Sequence, residues 1–275
     1  ANADGHLRAA FIVDYVDGQS VRRRKQFSRF KEADRFRIGV ERQLSDGTYR
    51  PDADKIIVSD ACSSFLDHCR DRLVRDERMT RKTLTVYRGH VTNYILGSDI
   101  GIAGYKLARL TARPVNEFRD RIRSAGVSVP TTRKVLATLH AILEHAISQD
   151  WIAVNAATGI KVIGPRDEGP IKIVPPSKAD LKSILETADD DTHFMILFAA
   201  TTGVRAGEQW ALRWHDVDFE EESLSICRRI DSYGEEGPPK SVAGVRKVPL
   251  SGKLARKLKE KKLKSDFSDE DDFIF

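Results

Sequence analysis

An arginine, a glutamate and a lysine, each in a well-defined local setting, are the residues of this chain best suited to chemistry. Residues 201–250 read TTGVRAGEQWALRWHDVDFEEESLSICRRIDSYGEEGPPKSVAGVRKVPL. A helical pattern runs into Thr202-Gly203, and Arg205 follows in a tight turn. Glu208 stands three residues later, at first-turn spacing of a second helix. A strand, a loop rich in glycine and proline that carries Lys240, and another strand complete the stretch. Guanidinium is planar, permanently cationic and bidentate, which suits it to phosphate oxygens. A lysine ammonium is a point charge whose pKa falls readily on burial, which suits it to proton donation. Arg205 is expected to be buried, with Glu208 holding it or the turn in place. No set of residues has metal-ligand spacing, so neither metal nor cofactor is expected. A lone arginine or lysine would mean nothing; the ordered set is specific.

The string resembles the first half of the catalytic domain of tyrosine recombinases, the phage-type integrases. Their pattern there is TGxRxGE, then LxWxDhD with h apolar, then a hairpin reading PKT or PKS before an arginine-flanked VPL. Arg205 falls on the family's first catalytic arginine and Lys240 on its hairpin lysine. The resemblance implies site-specific DNA recombination by the integrase of a phage or integrative element. A tyrosine hydroxyl would attack a phosphodiester and form a 3′-phosphotyrosyl link, which the partner's 5′-hydroxyl resolves, with no ATP or metal consumed. Arg205 would stabilise the phosphorane, a donor of that kind being worth ~2.7–4 kcal/mol of barrier. Lys240 would protonate the leaving 5′-oxygen. The family's His-x-x-Arg element and nucleophilic tyrosine have no counterpart here, since all six tyrosines, Tyr15 to Tyr233, precede the region where the nucleophile belongs. The chain opens ANADG and ends DDFIF, where the family continues into more catalytic domain. It is therefore expected to be an excised piece, inactive in DNA cleavage by itself.

The elements that must position these residues suggest a multidomain, mainly α protein. Residues 1–52 resemble the small α+β arm-type DNA-binding domain of phage integrases, which implies a three-stranded sheet plus a helix. Leu7 to Tyr15 and Ser20 to Phe27 read as a hairpin, and Phe30, Ala33, Phe36 and Val40 as a helical stripe. Residues 56–156 read as a helical bundle, with helices near Ser59–Leu73, Thr80–Leu96, Arg113–Ser124 and Thr131–Gln149, that resembles the family's core-binding (SAM-like) domain. Residues 157–176 read as a linker from their Gly-Pro and Pro-Pro pairs. Residues 177–275 read as a mixed α+β partial catalytic domain. It opens on a Ser177/Asp180 capping box and ends with a basic amphipathic helix over Lys253–Lys264, expected as a solvated surface helix.

Charge is uneven along the chain. Residues 1–150 hold 27 Lys+Arg against 19 Asp+Glu, a balance of +8, and residues 151–275 hold 19 against 22, a balance of −3. That asymmetry fits a DNA-binding module ahead of a catalytic one. The candidate DNA contacts are Arg22, Arg23, Arg24 and Lys25 on the second strand, with Arg81 and Lys82 at a helix start. Thr131, Thr132, Arg133 and Lys134 stand at another helix start, where free N–H groups favour phosphate. Arg246 and Lys247 come next in rank. The partners implied are double-stranded DNA at core and arm sites, further copies in a tetrameric synapse, and accessory DNA-bending proteins. No stretch has the length of a membrane span, and the three cysteines read as reduced thiols of a cytoplasmic protein, which the resemblance would make bacterial and nucleoid-associated. Set against the recombinase are a truncated, non-catalytic integrase occupying sites as a repressor, and a helical interaction scaffold, which leaves Arg205 and Lys240 unexplained.

Overall fold

Alternation of side chains along two short strands sets the first element. Phe11–Val16 (β1) pairs antiparallel with Arg22–Phe27 (β2), Val13 opposite Lys25 and Tyr15 opposite Arg23. Because a strand turns alternate residues to opposite faces, Phe11, Val13, Tyr15 and Phe27 share the inner face, against which Phe30–Ser45 (α1) packs. Tyr15 and Phe27 both meet the Phe36 ring edge-on or tilted. The computed structural model describes residues 10–18, 20–50, 55–164 and 173–275. It divides into two units, 1–169 and 170–275. Among the described residues this sheet has two strands where three were expected; residues 1–9, and with them the start of the expected Leu7 strand, lie outside that set.

The rest of the first unit is a helical bundle. Val58–Val74 (α2), Arg81–His90 (α3), Ala112–Ser124 (α4) and Val129–Ser148 (α5) each present an apolar stripe. Val135, Leu139, Ile142, Leu143 and Ala146 of α5 are fully buried, against Ala61, Cys62 and Cys69 of α2 and Val115, Phe118 and Ile122 of α4. Burial of one such large side chain is worth about 1.5–3 kcal/mol. The helix expected over Thr80–Leu96 is α-helical only to His90, then widens into a π-helical stretch, Val91–Ile95, that buries both of its end residues. The expected linker begins later than its glycines and prolines suggest. Ala157 and Val162 are buried in the bundle, and the carbonyls of Lys161 and Val162 accept from Arg119 and Arg133. No helix among the described residues is long and apolar enough to cross a membrane.

The second unit opens with Lys178–Thr187 (α6). Ser177 accepts from the Asp180 N–H at 3.1 Å while the Asp180 carboxylate accepts from the Ser177 N–H at 2.9 Å, the reciprocal cap expected there. Asp190–Thr202 (α7) ends at Gly203, whose φ of 65° is the left-handed stop that glycine adopts without strain. Ala206–Trp210 (α8) follows, then a 3-10 turn, Trp214–Asp216. Val217–Asp218 (β3), Ser223–Ile226 (β4) and Arg246–Pro249 (β7) form an antiparallel sheet in that order. A small hairpin, Arg229–Ile230 (β5) with Glu236–Gly237 (β6), stands between β4 and β7 in sequence. The strand expected before the Lys240 loop thus breaks at Cys227-Arg228, where Arg228 bonds the buried Asp216 at 2.6 Å.

Gly252–Lys264 (α9) is more than the solvated helix expected of it. Leu254, Ala255 and Leu258 join a core with Phe198, Trp214, Leu224, Ile226 and Ile274. Its lysines still cover apolar surface, Lys259 over Phe219, Lys261 over Phe194 and Lys262 over Trp214.

Candidate functional site: an arginine turn braced by a buried glutamate

Arg205 occupies the N-cap position of α8, directly after the Gly203 stop. It is not buried as expected: its side chain is 71% exposed, and the neighbouring Val204 takes the buried position instead. The buried member is Glu208, with 3% of its side chain exposed. One Glu208 oxygen accepts from Arg205 Nη1 at 2.8 Å and the other from the Arg205 backbone N–H at 3.0 Å. Glu208 thus contacts both the side chain and the backbone of Arg205. Arg205 offers its guanidinium to solvent from a fixed base.

A second guanidinium reaches the same carboxylate. Arg246 Nη2 donates to Glu208 Oε2 at 2.8 Å, and its Nη1 donates to the Gly244 carbonyl at 2.9 Å. Burial pushes the Glu208 carboxyl up, but the Arg246 hydrogen bond and then the two from Arg205 outweigh it, holding the group at about 2. Sequence reasoning ranked Arg246 only as a reserve DNA contact. The available signal was its place two residues before Val248-Pro249-Leu250, but nothing local connects it to Glu208.

Lys240 is exposed, in the segment between β6 and a 3-10 turn, Val242–Gly244. Among the described residues no hydrogen bond or ion pair involves its side chain. Backbone packing brings its loop toward the arginine turn. A Cβ on Gly207 of α8 would lie 2.5 Å from the Ile230 carbonyl of β5, and one on Gly244 would lie 2.5 Å from Pro239 Cβ. Beside this, His215 is bonded to Arg228 at 2.9 Å, and its ring nitrogen lies 3.1 Å from Asp271.

The candidate DNA contacts divide sharply. Arg22 and Arg24 lie on the outer face of the hairpin, about two-thirds exposed, and both bond Asp14. Exposed Ile12 and Val16 share that face. Arg23 and Lys25 face inward: Arg23 pairs with buried Asp17 at 2.6 Å, and Lys25 Nζ lies 4.4 Å from the Phe36 ring centre. Arg81 and Lys82 are exposed at the start of α3, where Thr80 caps the helix. At the start of α5, Thr132 is fully buried with its hydroxyl donating to the Ser128 carbonyl, so it presents nothing to a ligand. Thr131 is half-buried, and its hydroxyl accepts from Ser128. Arg133 is tied to the Val162 carbonyl at 3.0 Å, while Lys134 is exposed near His90, which burial first and Lys134 second hold below its usual pKa.

No protein-family model matches the chain. A XerC-like tyrosine recombinase of Caldanaerobacter subterraneus subsp. tengcongensis is 29% identical over 201 residues, 66% of this chain and 51% of the relative. The prophage integrase IntR of Escherichia coli is 30% identical over 168 residues, 61% of this chain and 40% of the relative. The ICEBs1 integrase of Bacillus subtilis is 23% identical over 263 residues, 94% of this chain and 68% of the relative. The chain thus spans about half or less of the length of the first two relatives. Among solved structures, the Tn1549 transposon integrase in complex with transposon right end DNA superposes with a TM-score of 0.62 at 19% identity, over 78% of this chain and 70% of that one. The lambda integrase tetramer bound to a Holliday junction superposes with a TM-score of 0.51 at 16% identity, over 95% of this chain and 73% of that one. The sequence relatives of this chain are thus tyrosine recombinases and integrases, and the fold around the Arg205 turn is one that solved integrases share.

Proposed function

We propose that the chain is the DNA-binding and first catalytic part of a site-specific integrase of a phage or integrative element. The observation that carries this reading is Arg205, exposed yet fixed at its base by buried Glu208 within the TGVRAGE turn. A guanidinium so held is a preorganised donor for the charge that builds on a phosphorane, and its fork suits two non-bridging oxygens. Lys240, on an exposed loop, is the proton donor to the leaving 5′-oxygen. The outer hairpin face, with Arg22 and Arg24, binds arm-type sites, and the bundle, with Arg81, Lys82 and Lys134, binds the core site. In this reading the tyrosine nucleophile comes from outside residues 1–275, consistent with the greater length of the relatives. Residues 1–275 then bind DNA without cutting it. The working form is a tetramer on paired attachment sites in the bacterial nucleoid, assisted by DNA-bending proteins.

The test uses the full-length protein and a nicked suicide duplex bearing its attachment core. Arg205→Lys keeps the charge but loses the planar fork, so cleavage should fall on the order of a hundredfold or more with DNA affinity near normal. Lys240→Ala should also cut poorly, but a 5′-bridging sulfur at the scissile phosphate should rescue it, because thiolate leaves without a proton. The same substrate should leave Arg205→Lys impaired. A full-length protein that occupies its site and never cleaves it would instead be a site-occupying repressor, and the catalytic reading would fall.

A further inference from the structure

We infer that Arg246 is a positioning residue of the arginine–lysine site, holding the Arg205 turn at one end and the foot of the Lys240 loop at the other, and is not a DNA contact. The inference rests on the recombinase reading above. It starts from how Arg246 spends its donors. Nη2 goes to Glu208 and Nη1 to the Gly244 carbonyl, at 2.8 and 2.9 Å, so both terminal amino groups are committed inside the protein. With 30% of its side chain exposed, against 71% for Arg205, it is the less available cation of the two.

Three pieces of chain meet at this one side chain. Arg246 begins β7, opposite Ile226 at the end of the three-stranded sheet. Through Glu208 it grips α8, whose first turn sits against the β5 backbone because Gly207 has no Cβ to keep Ile230 away. Through Gly244 it closes the 3-10 turn that follows Lys240-Ser241, against which Pro239 is packed. One rigid fork therefore spans from the turn that aims Arg205 to the end of the loop that carries Lys240. A lysine at this position has no fixed fork, and could satisfy the carboxylate or the carbonyl in good geometry but not both. An uncharged residue would leave the buried Glu208 to Arg205 alone, drawing that guanidinium inward from solvent.

Two measurements test this. In the present chain, the Glu208 carboxyl, followed by carbon NMR, should titrate clearly higher in Arg246→Gln than its wild-type value of about 2. An unmoved titration would overturn the link. In the full-length protein, Arg246→Gln should leave DNA affinity and its salt dependence unchanged and slow cleavage of the suicide duplex on the order of a hundredfold, the scale expected when a reacting group is misplaced by about 1 Å. Arg246→Lys, which keeps charge and fold, should recover part of that loss. With the 5′-bridging sulfur substrate Arg246→Gln should stay slower than Lys240→Ala, because Arg205 is displaced as well; full rescue would refute the two-ended role. Weaker DNA binding with a salt slope shallower by about one, and normal cleavage at saturating DNA, would make Arg246 a phosphate contact and overturn the inference. A wild-type protein that cleaves nothing would defeat the recombinase reading, while the Glu208 titration would still decide the link.

Discussion

Glu208→Gln should destabilise the second unit by an amount that depends on pH in a defined way. The substitution preserves shape but removes the charge on which two guanidinium groups converge. The wild-type carboxyl is held at about 2, well below its ordinary value of 4.5. At 1.36 kcal/mol per unit, ionised Glu208 contributes about 3 kcal/mol at neutral pH. Because the folded value lies below the unfolded one, this stability is complete above about 4.5 and is lost as pH falls toward 2. At pH 3 the same linkage leaves less than half of that. Urea unfolding can read this in a Trp151→Phe background, where Trp210 and Trp214 remain as probes of the second unit. The gap between wild type and Glu208→Gln should be about 3 kcal/mol at pH 7 and should roughly halve at pH 3. A gap that stays constant between the two, or is below about 0.5 kcal/mol at pH 7, would refute the carboxylate-centred brace.

Three further outcomes are expected. Arg22→Ala with Arg24→Ala should weaken duplex binding and make its log–log salt slope shallower by about 1.8, two phosphate contacts at ~0.9 each. Lys25→Ala should leave the slope alone and lower hairpin stability by roughly 0.5–1 kcal/mol through the lost Phe36 contact, read by hydrogen exchange. Gly207→Ala would set its Cβ 2.5 Å from the Ile230 carbonyl and should cost about 1–3 kcal/mol in the same tryptophan-monitored unfolding, since that neighbour is backbone and must move.

What the sequence disclosed was mostly what neighbours in sequence decide. The Ser177–Asp180 cap and the Arg205–Glu208 pair each lie three residues apart, and both have the expected partners. The α5 stripe was equally plain, because 3.6-residue spacing alone puts Val135, Leu139 and Ile142 on one side. Long-range facts were not legible. Glu208 and Arg246 are 38 positions apart, and no local pattern joins them. The hairpin basic run was seen as one cluster, yet strand alternation splits it; β1 carries apolar residues on both faces, so which face was inner could not be read. Thr132 looked like a ligand-facing residue at a helix start, but its place one turn before Val135 and Leu136 takes it into the core. Glycines and prolines drew the linker boundary at 157, although Val162 still packs on the bundle.

The hairpin bearing Lys240 leaves the sheet after Ile226 and returns at Arg246, and those two residues are register partners. The whole excursion is thus a loop whose ends are held together by strands that would pair without it. For such a loop the entropic cost of closure grows only logarithmically, about 0.6 kcal/mol for each doubling of length. Its feet are held by Ile230 against Gly207 and by Arg246 on Glu208, and Glu236 is tied back to Arg213 at 2.9 Å. Insertions or deletions between Asp231 and Glu235 should therefore be tolerated better than changes at the feet or at Glu236. Such length variation would let the reach of the lysine be retuned to a different duplex without refolding the domain beneath it.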